Sequence, residues 1–181
     1  MKISTIASSI ITTEEVPVYY TDTKTFSSVT YLKGESDLNR GLYLPNCDSS
    51  EAFEYCKSSM PDGFIRINRL ISTKCDFDEI SFSVFSILHE LGHWFQYIEF
   101  IKEGHDDREF IKYHEMDRAC LLLQRQNEYS TCRSKEDIVK LNIKYDSLYA
   151  ELSTEKYANN FAIKYILEYV RMIKQECLRH E

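Results

Sequence analysis

The chain has 181 residues, with 43% hydrophobic and 28% charged side chains, a balance that excludes a disordered chain and allows one domain with a sizeable core. Its net charge of −7 argues against nucleic acid as the main partner, because phosphate binding needs a basic surface. No stretch approaches the roughly 20 consecutive apolar residues that span a membrane.

Taken in chain order, the N-terminus comes first. Ile3 to Ile11 is mildly apolar but rich in Ser and Thr, and Glu14 and Glu15 follow it. That is a poor secretion signal. The six cysteines are scattered, with no zinc-knuckle or redox spacing. Both features point to free thiols in a cytoplasmic protein.

Residues 1–75 read as β-rich. Short runs of β-branched and aromatic residues predict strands at Val16 to Tyr20, Ser28 to Leu32, Gly41 to Leu44 and Phe64 to Ile71. One helix lies between them, with Asp48 and Glu51 spaced as a capping box. Met60-Pro61-Asp62-Gly63 reads as a turn into the last strand.

Residues 76–181 read as helical. Asp76 or Asp78 caps a helix through Ile80, Val84, Leu88, Leu91 and Ile98, apolar around most of its circumference and therefore buried. Further helices are expected from Asp106 to about Gln126 and around Ile138 to Leu152. The last runs from Ser153 to about Arg179, with an inward stripe of Ala158, Phe161, Ala162, Ile166, Val170, Ile173 and Cys177. The chain thus reads as a single α+β domain over 1–181, with inserted helices at about 104–150.

The buried helix carries His89-Glu90-Leu91-Gly92-His93. Positions i and i+4 of a helix share one face, so the two imidazoles can grip one metal ion. Glu90 lies about 100° further round the axis, within reach of a water that the ion activates. Zinc makes such a water acidic enough for a glutamate base. Two histidines and a glutamate in an apolar helix are costly to bury without a purpose. Gly92 costs about 1 kcal/mol against alanine inside a helix, which makes sense where another backbone or a substrate comes close.

A catalytic zinc needs a third protein ligand. Glu99 follows His93 by one and a half turns of uninterrupted helix and should point away from both histidines. His105 and His114 follow no defensible spacing. Glu155 is the better candidate. It lies in the first turn of the last helix, where the N-terminus favours a carboxylate, and is in phase with the inward stripe. Asn159, one turn on, can bond the second nitrogen of a ligating imidazole. Glu151 is the rival carboxylate, but it falls before the expected cap.

His89 to His93, together with Glu155-Lys156-Tyr157-Ala158-Asn159-Asn160-Phe161-Ala162, resembles the ImmA/IrrE family of metallopeptidases. That family pairs a His-Glu-x-x-His helix with a Glu-x-x-Ala-Asn-x-Phe-Ala helix. The stretch Gly63 to Ser72 is similar to the strand before the active helix in that family. The resemblance implies a zincin-like fold, with a small twisted sheet packed on the active-site helix. It implies His89, His93 and Glu155 as zinc ligands and Glu90 as catalytic base. It also implies a protein substrate, in some relatives a transcriptional repressor. The chain between His93 and Glu155 is longer than the family usually shows, and there is no DNA-binding module of the kind that some relatives carry.

The expected function is therefore zinc-dependent endopeptidase action on a protein or peptide partner. The alternative is a zinc-fold binding protein that sequesters a regulatory partner. Glu90 favours catalysis, since structural zinc has no use for a base. An exposed edge at Phe64 to Ile71 would pair with an extended substrate. The sequence identifies no substrate-binding residue, no oxyanion donor and no oligomeric state. Tyr97, His105, Tyr113, His114, Tyr145 and Tyr149 lie in the region that could supply such a donor.

Overall fold

The computed structural model describes every residue except 14, 27, 32–38 and 181. The architecture is mixed α+β. Helix α1 (Ile3–Ile10) comes first, followed by strands β1 (Val18–Thr21), β2 (Ser28–Thr30) and β3 (Gly41–Pro45). Helices α2 (Ser49–Ser59), α3 (Pro61–Ile71) and α4 (Glu79–Lys102) follow. Beyond them lie α5 (Asp107–Phe110), a wide π turn at Ile111–Glu115, α6 (Met116–Tyr129), α7 (Lys135–Ala150) and α8 (Ser153–His180).

The described sheet has the order β1-β3-β2, with β1 parallel and β2 antiparallel to β3. All five residues of β3 are buried, which makes it the sheet's contribution to the core. Gly41 opens β3 at φ 144°, and a Cβ there would lie 2.4 Å from the Pro17 carbonyl oxygen. Only glycine lets the two strands begin their pairing so closely. The strands expected at Val16 to Tyr20 and Gly41 to Leu44 are present with small shifts. That at Ser28 to Leu32 forms over Ser28–Thr30, and Leu32 lies outside the described residues.

The expected β-rich half is corrected in two places. Ile3 to Ile10 is a helix with Ile3, Ile6, Ala7 and Ile10 buried, so its apolar residues follow a helical stripe. Phe64 to Ile71 is also helical, not a strand. Pro61 at the first helical position and Asp62 in the first turn are helix-start features, and the run is a continuation of them. Phe64, Ile67, Leu70 and Ile71 recur at three-to-four-residue spacing and pack on the core, while Ile65 is exposed. The edge strand expected there as a substrate platform is therefore absent. Asp48 does sit at the N-cap of α2, but its side chain makes no capping bond.

α4 is the central element. Asp78 caps it, bonding the Ser81 amide while the Ser81 hydroxyl accepts from the Asp78 amide. Burial pushes the Asp78 carboxyl up, but Lys174 and Ser81 outweigh it and hold the group below its ordinary value. The Asp78–Lys174 pair ties the start of α4 to the far end of α8. The α8 stripe packs Ala158, Ala162, Ile166, Val170 and Ile173 into the core, each 3% exposed or less. Each buried Ile or Val there contributes about 1.5–3 kcal/mol. No helix among the described residues is long and apolar enough to cross a membrane.

Candidate metal centre

His89, Glu90 and His93 lie in the middle of α4, and Glu155 in the first turn of α8. The two helices come together where Gly92 of α4 faces Ala158 of α8. A Cβ on Gly92 would sit 2.9 Å from Ala158 Cα and 3.1 Å from Phe161 Cβ. Gly92 therefore lets the α8 backbone approach the α4 backbone at the level of the two histidines. The helix continues past Gln96 to Lys102, as expected.

Three donor atoms converge at this crossing. His89 Nε2 and His93 Nε2 are 3.1 Å apart. Glu155 Oε2 lies 3.4 Å from the first, and Oε1 lies 3.5 Å from the second. Ligand atoms about 2.0–2.1 Å from a tetrahedral zinc are about 3.3–3.4 Å from each other, and one ligand atom from each of these three side chains lies within 4.8 Å of the other two. His93 and Glu155 are buried and His89 is partly buried. This is the group of His, Cys, Asp and Glu side chains among the described residues that could hold a metal ion.

His89 Nδ1 lies 3.1 Å from Asn159 Oδ1. An amide oxygen only accepts, so Nδ1 carries a proton and Nε2 is the nitrogen turned toward Glu155 and His93. His93 Nδ1 is buried with no hydrogen-bond partner among the described residues. The two histidines are thus oriented differently. His89 is fixed by a polar partner, and His93 by packing in the core of α4.

The charges respond to one another. Burial pushes the Glu155 carboxyl up, but hydrogen bonds from His89 and His93 outweigh it and drive it well below the carboxylate range. Burial pushes His93 down, but Glu155 and Glu90 outweigh it and raise it above the usual histidine value. Both shifts come from the buried meeting of one carboxylate with two imidazoles.

No protein-family model, curated protein or solved structure matches this chain.

The other candidate residues fall elsewhere. Glu99 is exposed and accepts a 2.8 Å bond from the Tyr157 hydroxyl. Glu151 pairs with Lys156. His105 stacks on Phe100 at 4.2 Å and faces Glu109, and His114 packs against Phe100 and Phe110. Tyr97 donates to Asp107 and Tyr145 to Glu128.

Of the groups that border the cluster, Tyr149 is one of six possible donors named from the sequence, whereas Tyr31 and Arg118 carried no sequence signal. Tyr149 is raised above its ordinary value by burial and by the charge of Glu155 and a hydrogen bond to it. Tyr31 is raised by burial and then by Glu115, Glu90 and Glu155. Arg118 lies 5.8 Å from the Tyr149 ring and faces Glu115 and Glu155. These three come from the end of β2, from α6 and from α7, so no local motif links them to the histidines.

Proposed function

We propose that this chain is a zinc-dependent endopeptidase of the kind that the ImmA/IrrE resemblance suggests, acting on a protein partner. The observation that carries the reading is the meeting of His89, His93 and Glu155 around one point, with Glu90 next along the helix. Two imidazoles and one carboxylate leave a fourth tetrahedral position open, the arrangement of a catalytic rather than a structural site. Zinc suits these nitrogen and oxygen donors better than calcium or magnesium, which prefer oxygen alone. When bound there, zinc acts as a Lewis acid that polarises a peptide carbonyl and acidifies water.

The residues of the chain divide the remaining work. Glu90 is partly buried on the ligand helix and takes the proton of the attacking water. It then delivers that proton to the leaving amine. Asn159 holds His89 in the tautomer that presents Nε2. The Tyr149 hydroxyl stays protonated and donates to Glu155; on substrate binding that proton turns to the oxyanion that forms. All six cysteines are free thiols.

The test compares two variants of the zinc-loaded chain. Glu90→Gln should retain zinc at wild-type stoichiometry and lose about 10²- to 10⁴-fold in cleavage. His93→Ala should lose both zinc and cleavage. Normal cleavage by the Gln variant would remove the base assignment. Chelation that unfolds the protein would favour a structural ion and the sequestering alternative.

A further inference from the structure

Tyr149 and Arg118 border the metal centre on one side and a separate cavity of about 560 Å³ on the other. This cavity lies where α3, α6 and α7 meet. Arg118, Leu121, Leu122 and Arg125 line it from α6, spaced as a single helix face. Asn142, Tyr145, Asp146 and Tyr149 line it from α7 with the same spacing. Phe64 and Ile67 of α3 and Phe82 of α4 contribute apolar surface.

The charge balance of this lining differs from that of the molecule. The chain carries a net charge of −7, yet three guanidiniums line the cavity against two carboxylates, Asp62 and Asp146. Arg66 is spent on Asp146 at 3.4 Å, and Arg118 faces Glu115 at 3.5 Å. Among the described residues Arg125 donates only to the neutral Asn142 Oδ1, at 2.9 Å. No carboxylate lies within ion-pair distance of Arg125 among the described residues.

We propose that this cavity is the subsite that selects the substrate: it takes a bulky apolar side chain near the scissile bond and an acidic residue further along the same peptide. The proposal rests on the peptidase reading for the placement of that bond. Arg118 and Arg125 are two helical turns apart, about 10.5 Å along α6. An extended peptide covers that span in about three residues. The apolar side chain packs on Leu121, Leu122, Ile67 and Phe64, and the carboxylate pairs with Arg125. A small inorganic anion would leave that apolar wall in contact with water, so the matching ligand is a peptide with both features.

The experiment uses two dye-labelled pentapeptides, Leu-Leu-Ser-Glu-Glu and Leu-Leu-Ser-Lys-Lys, and fluorescence anisotropy. The protein is the full zinc-loaded chain carrying Glu90→Gln, so that neither peptide is consumed. The acidic peptide should bind about ten-fold more tightly, as expected for one charge-assisted contact. Adding Arg125→Glu should reverse the order of the two peptides with zinc content unchanged. Adding Leu122→Asp, at a 48% exposed position, should weaken both peptides. Equal affinities, no binding of either peptide, or an order that survives Arg125→Glu would overturn the proposal. Cleavage of both peptides by the native zinc-loaded chain is read separately. Charge preference without cleavage supports the subsite and counts against the peptidase reading. Cleavage without charge preference does the reverse.

Discussion

The crossing of α4 and α8 and the inserted helices between them are built on opposite principles. At the crossing, His93, Glu155, Ala158 and Ala162 are buried, and a glycine sits where two backbones nearly touch. In the insertion, α6 buries no residue, and Met116, Leu122, Leu123, Val139 and Ile143 are all about half exposed. Polar contacts across α6 and α7 join the pair, with Lys144 and Tyr145 both reaching Glu128 and Arg125 reaching Asn142. Close packing holds ligand atoms to tenths of an ångström. A loosely covered helix pair does not, but it can present side chains to a partner. The difference fits the two proposals, a metal at the crossing and substrate selection in the insertion.

Beyond the ligands and Glu90, the largest effect should come from the point where the two regions touch. Tyr149→Phe should lower kcat about 10²-fold with zinc content unchanged, as for loss of one oxyanion donor. Equal activity would confine Tyr149 to the insertion and sever the link. Next, Asn159→Ala frees the His89 ring and should weaken zinc binding about 10- to 100-fold in a competition titration.

Gly92→Ala tests the crossing itself. Helix propensity favours alanine by about 1 kcal/mol. The new Cβ would lie 2.9 Å from Ala158 Cα, and overpacking of backbone typically costs about 1–3 kcal/mol. The clash should win, lowering Tm and zinc affinity together. A raised Tm would show that α8 can move away freely.

Proton linkage sharpens the same contrast. In the metal-free protein Glu155 is lowered from its ordinary 4.5, so its contribution is present above pH 4.5 and lost as pH falls through the folded value. His93 is raised from its ordinary 6.5, so its contribution is full below pH 6.5 and lost as pH rises through the folded value. Metal-free Tm should therefore peak between about pH 4.5 and 6.5. Zinc requires deprotonated imidazoles, so the gain in Tm on adding zinc should grow from pH 5.5 to 7.5. Parallel thermal melts with zinc and with chelator would read both trends. The smallest effect belongs to the insertion. Leu123→Glu, at a 59% exposed position, should change stability by no more than about 0.5 kcal/mol.

Much of the site could be read from the chain because helix periodicity is local. The spacing of His89 and His93, the buried character of α4, and the phase of Glu155 and Asn159 on α8 all follow from 3.6 residues per turn. Gly92 carried a further signal, since its cost inside a helix pointed to a close backbone, and that backbone is Ala158. The misreadings were also local. Phe64 to Ile71 is rich in β-formers, yet Pro61 and Asp62 start a helix and the core accepts its stripe. Ile3 to Ile10 falls in the part expected to be β-rich and reads as a poor secretion signal, although its isoleucines have helical spacing.

The sequence by itself determined which residues could bind a metal, because two imidazoles one helical turn apart need nothing beyond the helix to face the same way. Only the tertiary structure decided that Glu155 completes the group, that Tyr149 and Arg118 border it, and that an apolar cavity with Arg125 adjoins it. Those relations join helices far apart in the chain, and their distances depend on how side-chain volumes pack at each crossing, which no local periodicity encodes.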